Sequence, residues 1–484
     1  MTAGSRTPAR TAPATDADRR LPVLLWALAV VLAVTGLFYA VVQPLSPVRM
    51  SRAGAGLIEL SPWWSALASL PWPRLSGGSL ATALLGVGAL AFAAYGLALL
   101  AAWRRPATRA ALAAVVVPAV LFSALGASAL PTQSGDIVDY LLSGRIAAVH
   151  GASPYQVAPE AFPDDPLLPF ASGDYTADAE QKPPIWIGAA VGVSAVAGDQ
   201  PATAVHVFRL VLAGFSMANL LLLWVVLRRR RPEHLLAGLL LYGWNPVVTT
   251  HGQAKLDVVM ATFALLGAWA LLSGRRQGAV AALWCSVMVK LLTLPLLAVL
   301  VLGELRARRW RSVATSAVVV VGLTLLLYAP FDGGARHVVE HLLLTERGGQ
   351  QLPAAVSLLF VATACVVVVW AGLSSRGDPE RVLQGWALAA LAVVLLIPPG
   401  WSWYLITPVA VVALSGERWR TLGLFGLSGL VFALDTWTRS KSDQFPLPEP
   451  AAVSRSVLYA AVVVAAVLAL AVGALLRSRG RARG

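Results

Sequence analysis

Two aspartates, Asp136 and Asp139, stand three residues apart in a polar stretch, residues 131–186, that interrupts a mostly apolar chain. On a helix this spacing places both carboxylates on one face. A carboxylate at a membrane surface is partly desolvated and can act as a general base on a hydroxyl. Either could instead cap the amphipathic segment IVDYLLSGRIAAVHG. Asp136, directly after Ser-Gly, is taken as the base, and Asp139 as its supporting or capping partner. The same stretch holds Tyr140, Arg145, Tyr155 and Lys182. Later polar stretches supply His251, Gln253, Lys255 and Asp257, then Arg336, His337, Glu340, His341 and Arg347, then Trp401, Trp403 and Tyr404. Carboxylates, cations and aromatics on one surface suit a polar, sugar-like substrate with an anionic leaving group.

Plainer roles exist for several of these residues. Lys182 could be an interfacial cation with its head in water, Asp257 could simply pair with Lys255, and WSWY (401–404) could belong to an aromatic belt. The order HVVEH at 337–341 does not match the zinc-binding HExxH spacing, and no metal is expected. Lys290 lies in an apolar run, where a lysine is costly unless paired or hydrated, which makes it a functional candidate.

The elements that must position these residues are membrane helices. The chain of 484 residues is 57% hydrophobic and only 13% charged, against about 25% charged in soluble domains. Many windows of bilayer-crossing length carry no charge. The fold class is therefore all-α, a polytopic integral membrane protein of about 13 spans, with a long first major extracytoplasmic loop at 131–186. Residues 1–20 read as a disordered cytoplasmic tail, 21–476 as one transmembrane domain, and 477–484 as a basic cytoplasmic tail. The net charge of +14 is carried by arginine clusters between apolar runs, so it marks cytoplasmic turns rather than a nucleic-acid partner. These clusters alternate with the polar loops and put the candidate residues on the outer side. Residues 185–198 are too short to cross and read as a half-helix; 277–303, flanked by arginines at both ends, reads as a hairpin kinked around Lys290 and Pro295. Cys285 and Cys365 lie in apolar runs and imply no disulfide.

The motifs, taken together, resemble the GT-C superfamily of polyprenyl-phosphate-sugar-dependent glycosyltransferases. GDIVDYLLSGRIAAVHGASPY resembles the family's opening carboxylate loop, QKPPIW (181–186) its PP motif, WNPVVTTHGQAKLD (244–257) its NP…D segment, VMVKLLTLPLL (287–297) its K…LP hairpin, and PPGWSWYLITP (398–408) its late Trp/Tyr motif. Within the superfamily the chain is most similar to actinobacterial polyprenol-phosphomannose-dependent α-mannosyltransferases. It departs from them at HGQAKLD, which lacks an Asn, and at Lys182, which resembles the aminoarabinose and protein-mannosylation branches.

The resemblance implies transfer of a sugar, mannose first and arabinofuranose as the alternative, from a polyprenyl-phosphate donor to a cell-envelope glycan or glycolipid acceptor. It implies inversion, Asp136 as base, an active site outside the plasma membrane, and no cofactor beyond the lipid-linked co-substrate. The leaving phosphate needs cationic help, for which Lys182 is the first candidate, with Arg145, Lys255 and Arg347 behind it. Tyr140, Tyr155, His251, Gln253, Asp257, Trp401, Trp403 and Tyr404 are the expected substrate-lining set. A saccharide transporter is the competing class, but it should carry charges within its spans and an internal repeat.

Overall fold

The computed structural model describes residues 16–45, 52–73, 75, 77–131, 136–171, 176–344, 354–396 and 401–440. Arg347 and the span expected at 452–476 lie outside them. Among the described residues the regular elements are all helical, and five helices are long and apolar enough to cross a membrane. Four are α1 (Asp16–Leu37, continued through a π turn to Leu45), α4 (Gly77–Ala102), α5 (Arg109–Ser128) and α8 (Pro201–Arg230). The fifth is α14 (Trp310–Tyr328). The chain is an all-α membrane protein. Two short helices, α2 (Arg52–Glu59) and α3 (Pro62–Ser69), occupy the Trp-rich segment after α1.

The polar stretch folds as α6 (Asp136–Ala148) packed against α7 (Ile185–Ala197), the expected half-helix. The span expected at 234–250 is instead broken into α9 (Leu235–Gly243) and α10 (Pro246–His251). The cause is local. Asn245 caps α10 by accepting from the Val247 amide at 2.9 Å, and Pro246 at the first helical position suits a helix start. Next come α11 (Asp257–Leu272), α12 (Arg276–Val287) and α13 (Leu294–Arg306). The last two form the expected hairpin, because Arg276 at one mouth ion-pairs with Glu304 at the other, with Lys290 at the turn between them. α15 (Gly334–Leu344), α16 (Ala354–Ser375), α17 (Pro379–Leu396), α18 (Ile406–Ser415) and α19 (Arg418–Ser440) complete the described chain.

α18 is the central post. All ten of its residues are buried, against α11, α17, α9, α8 and α19. The arginine-rich turns gather at one end of the bundle. Arg231 meets Glu380 at 2.7 Å and also bonds the Ser415 carbonyl. Arg230 bonds the Leu272 carbonyl, and Arg309 meets Glu304 at 3.1 Å. The ends of α8, α11, α12 and α18 are therefore flush there.

Their opposite ends are not flush. α18 has 10 residues, α12 has 12 and α11 has 16, whereas α8 has 30. At 1.5 Å per residue these are about 15–24 Å against about 45 Å. The start of α11 lies level with the middle of α8, where Asn219 donates to the Val258 carbonyl at 3.0 Å. Whatever the short helices carry at those ends is recessed within the bundle.

Candidate active site

Three of the chain's four lysines sit at that recess. Lys255, 3% exposed, forms an ion pair with Asp136 at the start of α6, and its ammonium lies 3.9 Å from the centre of the Trp403 ring. Lys290, at the hairpin turn, places its ammonium 3.5 Å from Asp257 Oδ2 and 4.0 Å from the centre of the Tyr404 ring. Lys182 lies 3.4 Å from Glu180 and 5.5 Å from the Tyr140 ring centre. Lys290 is within electrostatic reach of Asp257, Asp136 and Lys182, so the lysines and carboxylates share one field. Aromatic faces stabilise cations by up to about 2 kcal/mol when desolvated, which helps explain why Trp403 and Tyr404 stand over two of the ammoniums.

The motifs separated in sequence are tied together by backbone. The Ile185 amide, in the PPIW motif, donates to the Met288 carbonyl at the hairpin turn, 3.1 Å away. Tyr155 donates to the Lys182 carbonyl at 2.8 Å, so this tyrosine positions the lysine segment from behind. Thr407 donates to the Asp257 carbonyl at 3.3 Å, and Tyr140 packs on Trp186 with ring centres 5.0 Å apart.

The WSWY turn has its own anchor. His251 Nε2 lies 3.0 Å from Ser402 Oγ, and Ser402 donates to buried Asp435 of α19. A hydroxyl has a single proton, so Ser402 accepts from His251, which fixes the proton on Nε2. Trp401 stacks on Trp403 with centres 5.3 Å apart.

Two open clefts flank the lysines. One includes Asp139, Ser143, Asp178, Glu180 and Lys182 in its lining. The other is mostly apolar and includes Met260, Leu292, Leu296, Val393 and Tyr404.

Two expected site residues lie elsewhere. Arg145 is 2% exposed and its donors are occupied: Asp165 at 2.8 Å, Asp199 at 2.7 Å and the Gly198 carbonyl at 2.7 Å. It braces the polar stretch against the end of α7. Gln253 is turned to α5, where its amide lies 3.1 Å from Ser123 Oγ. It lines a separate chamber. His337 sits 6.4 Å from the Tyr155 ring, and Arg336 pairs with Glu340 on its own helix at 2.6 Å.

Glu180, Ser402, Asp435 and Arg209 were not singled out from sequence. Asp435 had a readable signal, because it is a carboxylate inside the apolar run TLGLFGLSGLVFALDTW. Arg209 had the same kind of signal in VFRLVLAGF.

A polytopic all-α membrane protein with paired carboxylates and lysines under aromatic rings, recessed beside an apolar cleft, has the parts of a membrane group-transfer enzyme. The chain belongs to the alpha-(1->6)-mannopyranosyltransferase family, whose N-terminal domain matches residues 34–306. It is therefore a mannosyltransferase, and the arabinofuranosyl alternative is not followed further. The matched segment contains Asp136, Lys182, Lys255, Asp257 and Lys290. No curated protein and no solved structure matches the chain significantly.

Proposed function

We propose that this protein transfers mannose from a polyprenyl-phosphate donor to a hydroxyl of a cell-envelope glycan or lipoglycan, outside the plasma membrane. The reading rests on one observation above the others: Asp136–Lys255 and Asp257–Lys290 converge between a carboxylate-lined cleft and an apolar one. An amphiphilic donor needs this pairing of surfaces. Its chain lies in the apolar cleft along the hairpin, and its phosphate meets Lys290 and Lys182. The acceptor sugar lies toward Asp139 and Glu180, since carboxylates accept hydrogen bonds from sugar hydroxyls.

Asp136 takes the proton from the acceptor hydroxyl as that oxygen attacks the anomeric carbon. The bond from the anomeric carbon to the phosphate oxygen breaks, and polyprenyl phosphate leaves with the electron pair. Displacement inverts the centre, so an α product requires a β-linked donor. Lys255 holds Asp136 ionised and oriented, while Lys290 and Lys182 stabilise the charge growing on the phosphate. Asp257 holds Lys290 in place until the phosphate arrives. An arginine-rich end favours the cytoplasmic side by the positive-inside rule, which supports a recess opening on the outer side, away from soluble nucleotide sugars.

The test is Asp136→Asn in membranes supplied with radiolabelled polyprenyl-phosphate mannose. A fall in transfer of at least about 100-fold, or ~2.7 kcal/mol, with normal insertion is expected. Unchanged transfer removes Asp136 as base, and failure of wild-type membranes to consume the donor removes the donor assignment.

A further inference from the structure

A second open cavity lies apart from the lysine cluster, between α1, α4, α5 and α10. Its walls are mostly apolar, with Leu32, Tyr39, Ala91, Phe122 and Leu125 among them. Its polar lining includes Thr35, Thr249 and Thr250 together with Arg209 and Gln253, the last two more than nine-tenths buried. Arg209 Nε and Gln253 Oε1 are buried with no hydrogen-bond partner. Among the described residues no carboxylate lies within ion-pair distance of Arg209. Its guanidinium bonds the carbonyls of Ala129 and Leu130 and faces the Trp64 ring at 5.7 Å.

Both groups sit over the last turn of α5. Arg209 bonds Ala129, and Gln253 lies so close over Gly126 that a β-carbon there would stand 2.3 Å from Oε1. Gly126 and Ala129 are one helical turn apart, so the two polar groups form one end of the chamber. From Ala40, beside that end, to Leu32 the α1 wall runs about 12 Å. The Gln253 amide touches Ser123, whose hydroxyl can donate or accept. The amide can therefore turn and present its N–H₂ to a ligand. A helix C-terminus welcomes a nearby cation, but capping needs neither full burial nor an open chamber.

We propose that this chamber binds a lipid phosphate, with its chain along α1 and its phosphate on Arg209 and Gln253. A buried guanidinium without a carboxylate calls for an anion, and the apolar walls call for a hydrocarbon chain; a phosphate carried on a chain satisfies both. The site is separate from the reacting cluster and does not depend on which sugar is transferred there.

The full-length protein, purified in detergent, is photolabelled with diazirine-tagged farnesyl phosphate, farnesol or phosphatidylglycerol, and the adducts are mapped by mass spectrometry. Adducts on residues 32–40 and 122–129 are expected from a phosphate-bearing lipid, at least tenfold above farnesol. Labelling by farnesyl phosphate alone assigns an isoprenyl lipid and by phosphatidylglycerol alone a bilayer lipid; either result supports the site. Gln253→Leu, which removes the amide, and Ala91→Leu, which narrows the apolar part of the chamber, should each reduce these adducts at least fivefold without changing labelling at 292–296. Arg209→Gln should abolish them, and the other two variants keep the test decisive if it misfolds. Equal labelling by farnesol, competition by inorganic phosphate as effective as by lipid, or adducts confined to 292–296 would overturn the proposal.

Discussion

Lys290 can be tested for whether it serves the fold or the reaction. Its ammonium lies 3.5 Å from Asp257 Oδ2, and Asp257 is 1% exposed. At an effective dielectric near 20 the Coulomb attraction at this distance is about 4–5 kcal/mol, before the desolvation cost of both ions is set against it. Removing one partner from a buried pair costs about 3–5 kcal/mol, because the other charge is stranded. Lys290→Met should therefore lower the melting temperature in detergent by several degrees and abolish transfer. That variant alone cannot separate the two roles. Adding Asp257→Leu removes the stranded carboxylate, and a buried pair replaced by apolar groups is often neutral in stability. The double variant should regain most of the lost melting temperature. Its transfer should stay down at least about 100-fold, or ~2.7 kcal/mol, because the departing phosphate has lost its cation. Both quantities can be followed on one preparation, by scanning fluorimetry and by labelled mannose transfer. Recovery of transfer together with stability would refute a chemical role for Lys290.

Other outcomes follow from the same geometry. Ser402→Ala breaks the link between His251 and Asp435 and frees the turn that holds Trp403 and Tyr404 over the lysines. Turnover should fall about tenfold, or ~1.4 kcal/mol, with donor KM little changed, and a pure KM effect would contradict the positioning role. Arg145→Leu leaves Asp165 only His150 and the Leu167 amide and cuts the tie to the end of α7, so the polar stretch should loosen, read as faster hydrogen exchange over 141–150; unchanged exchange there would contradict the bracing role. Burial works to raise the Asp165 carboxyl, but hydrogen bonds from His150, Arg145 and the Leu167 amide outweigh it and hold the group below its ordinary value. Its contribution is complete above about pH 4 and is lost as pH falls through the lowered folded value. Asp165→Asn should remove this acid-side loss of protection, and an unaltered profile would assign the loss to other groups.

Several members of the candidate site are legible in the sequence. A lysine is rare in this chain and an aspartate is rare in its spans, so Asp136, Lys182, Lys255, Asp257 and Lys290 stand out by type alone. The hairpin was legible because arginines flank both of its ends, and Arg276–Glu304 is the contact that such flanks require. The break at Asn245-Pro246 carried a cap signal, yet the apolar run around it read as one span. Apolar periodicity cannot reveal a break when both halves are buried.

Composition and charge spacing determined the membrane class, the helical fold and the arginine-rich end, because bilayer solvation and helix length leave traces in every window of sequence. Which polar residues meet was a tertiary decision. Arg145 and Lys182 both lie in the polar stretch and both were candidate cations, Lys182 the first of them; only packing assigns Arg145 to Asp165 and Lys182 to the recess. Gln253 and Lys255 are two residues apart, yet the first lines the chamber beside α5 and the second pairs with Asp136 at the recess. The depth of the site was also invisible in sequence. It follows from where three short helices, α11, α12 and α18, end against α8, and that depends on packing between distant segments of the chain.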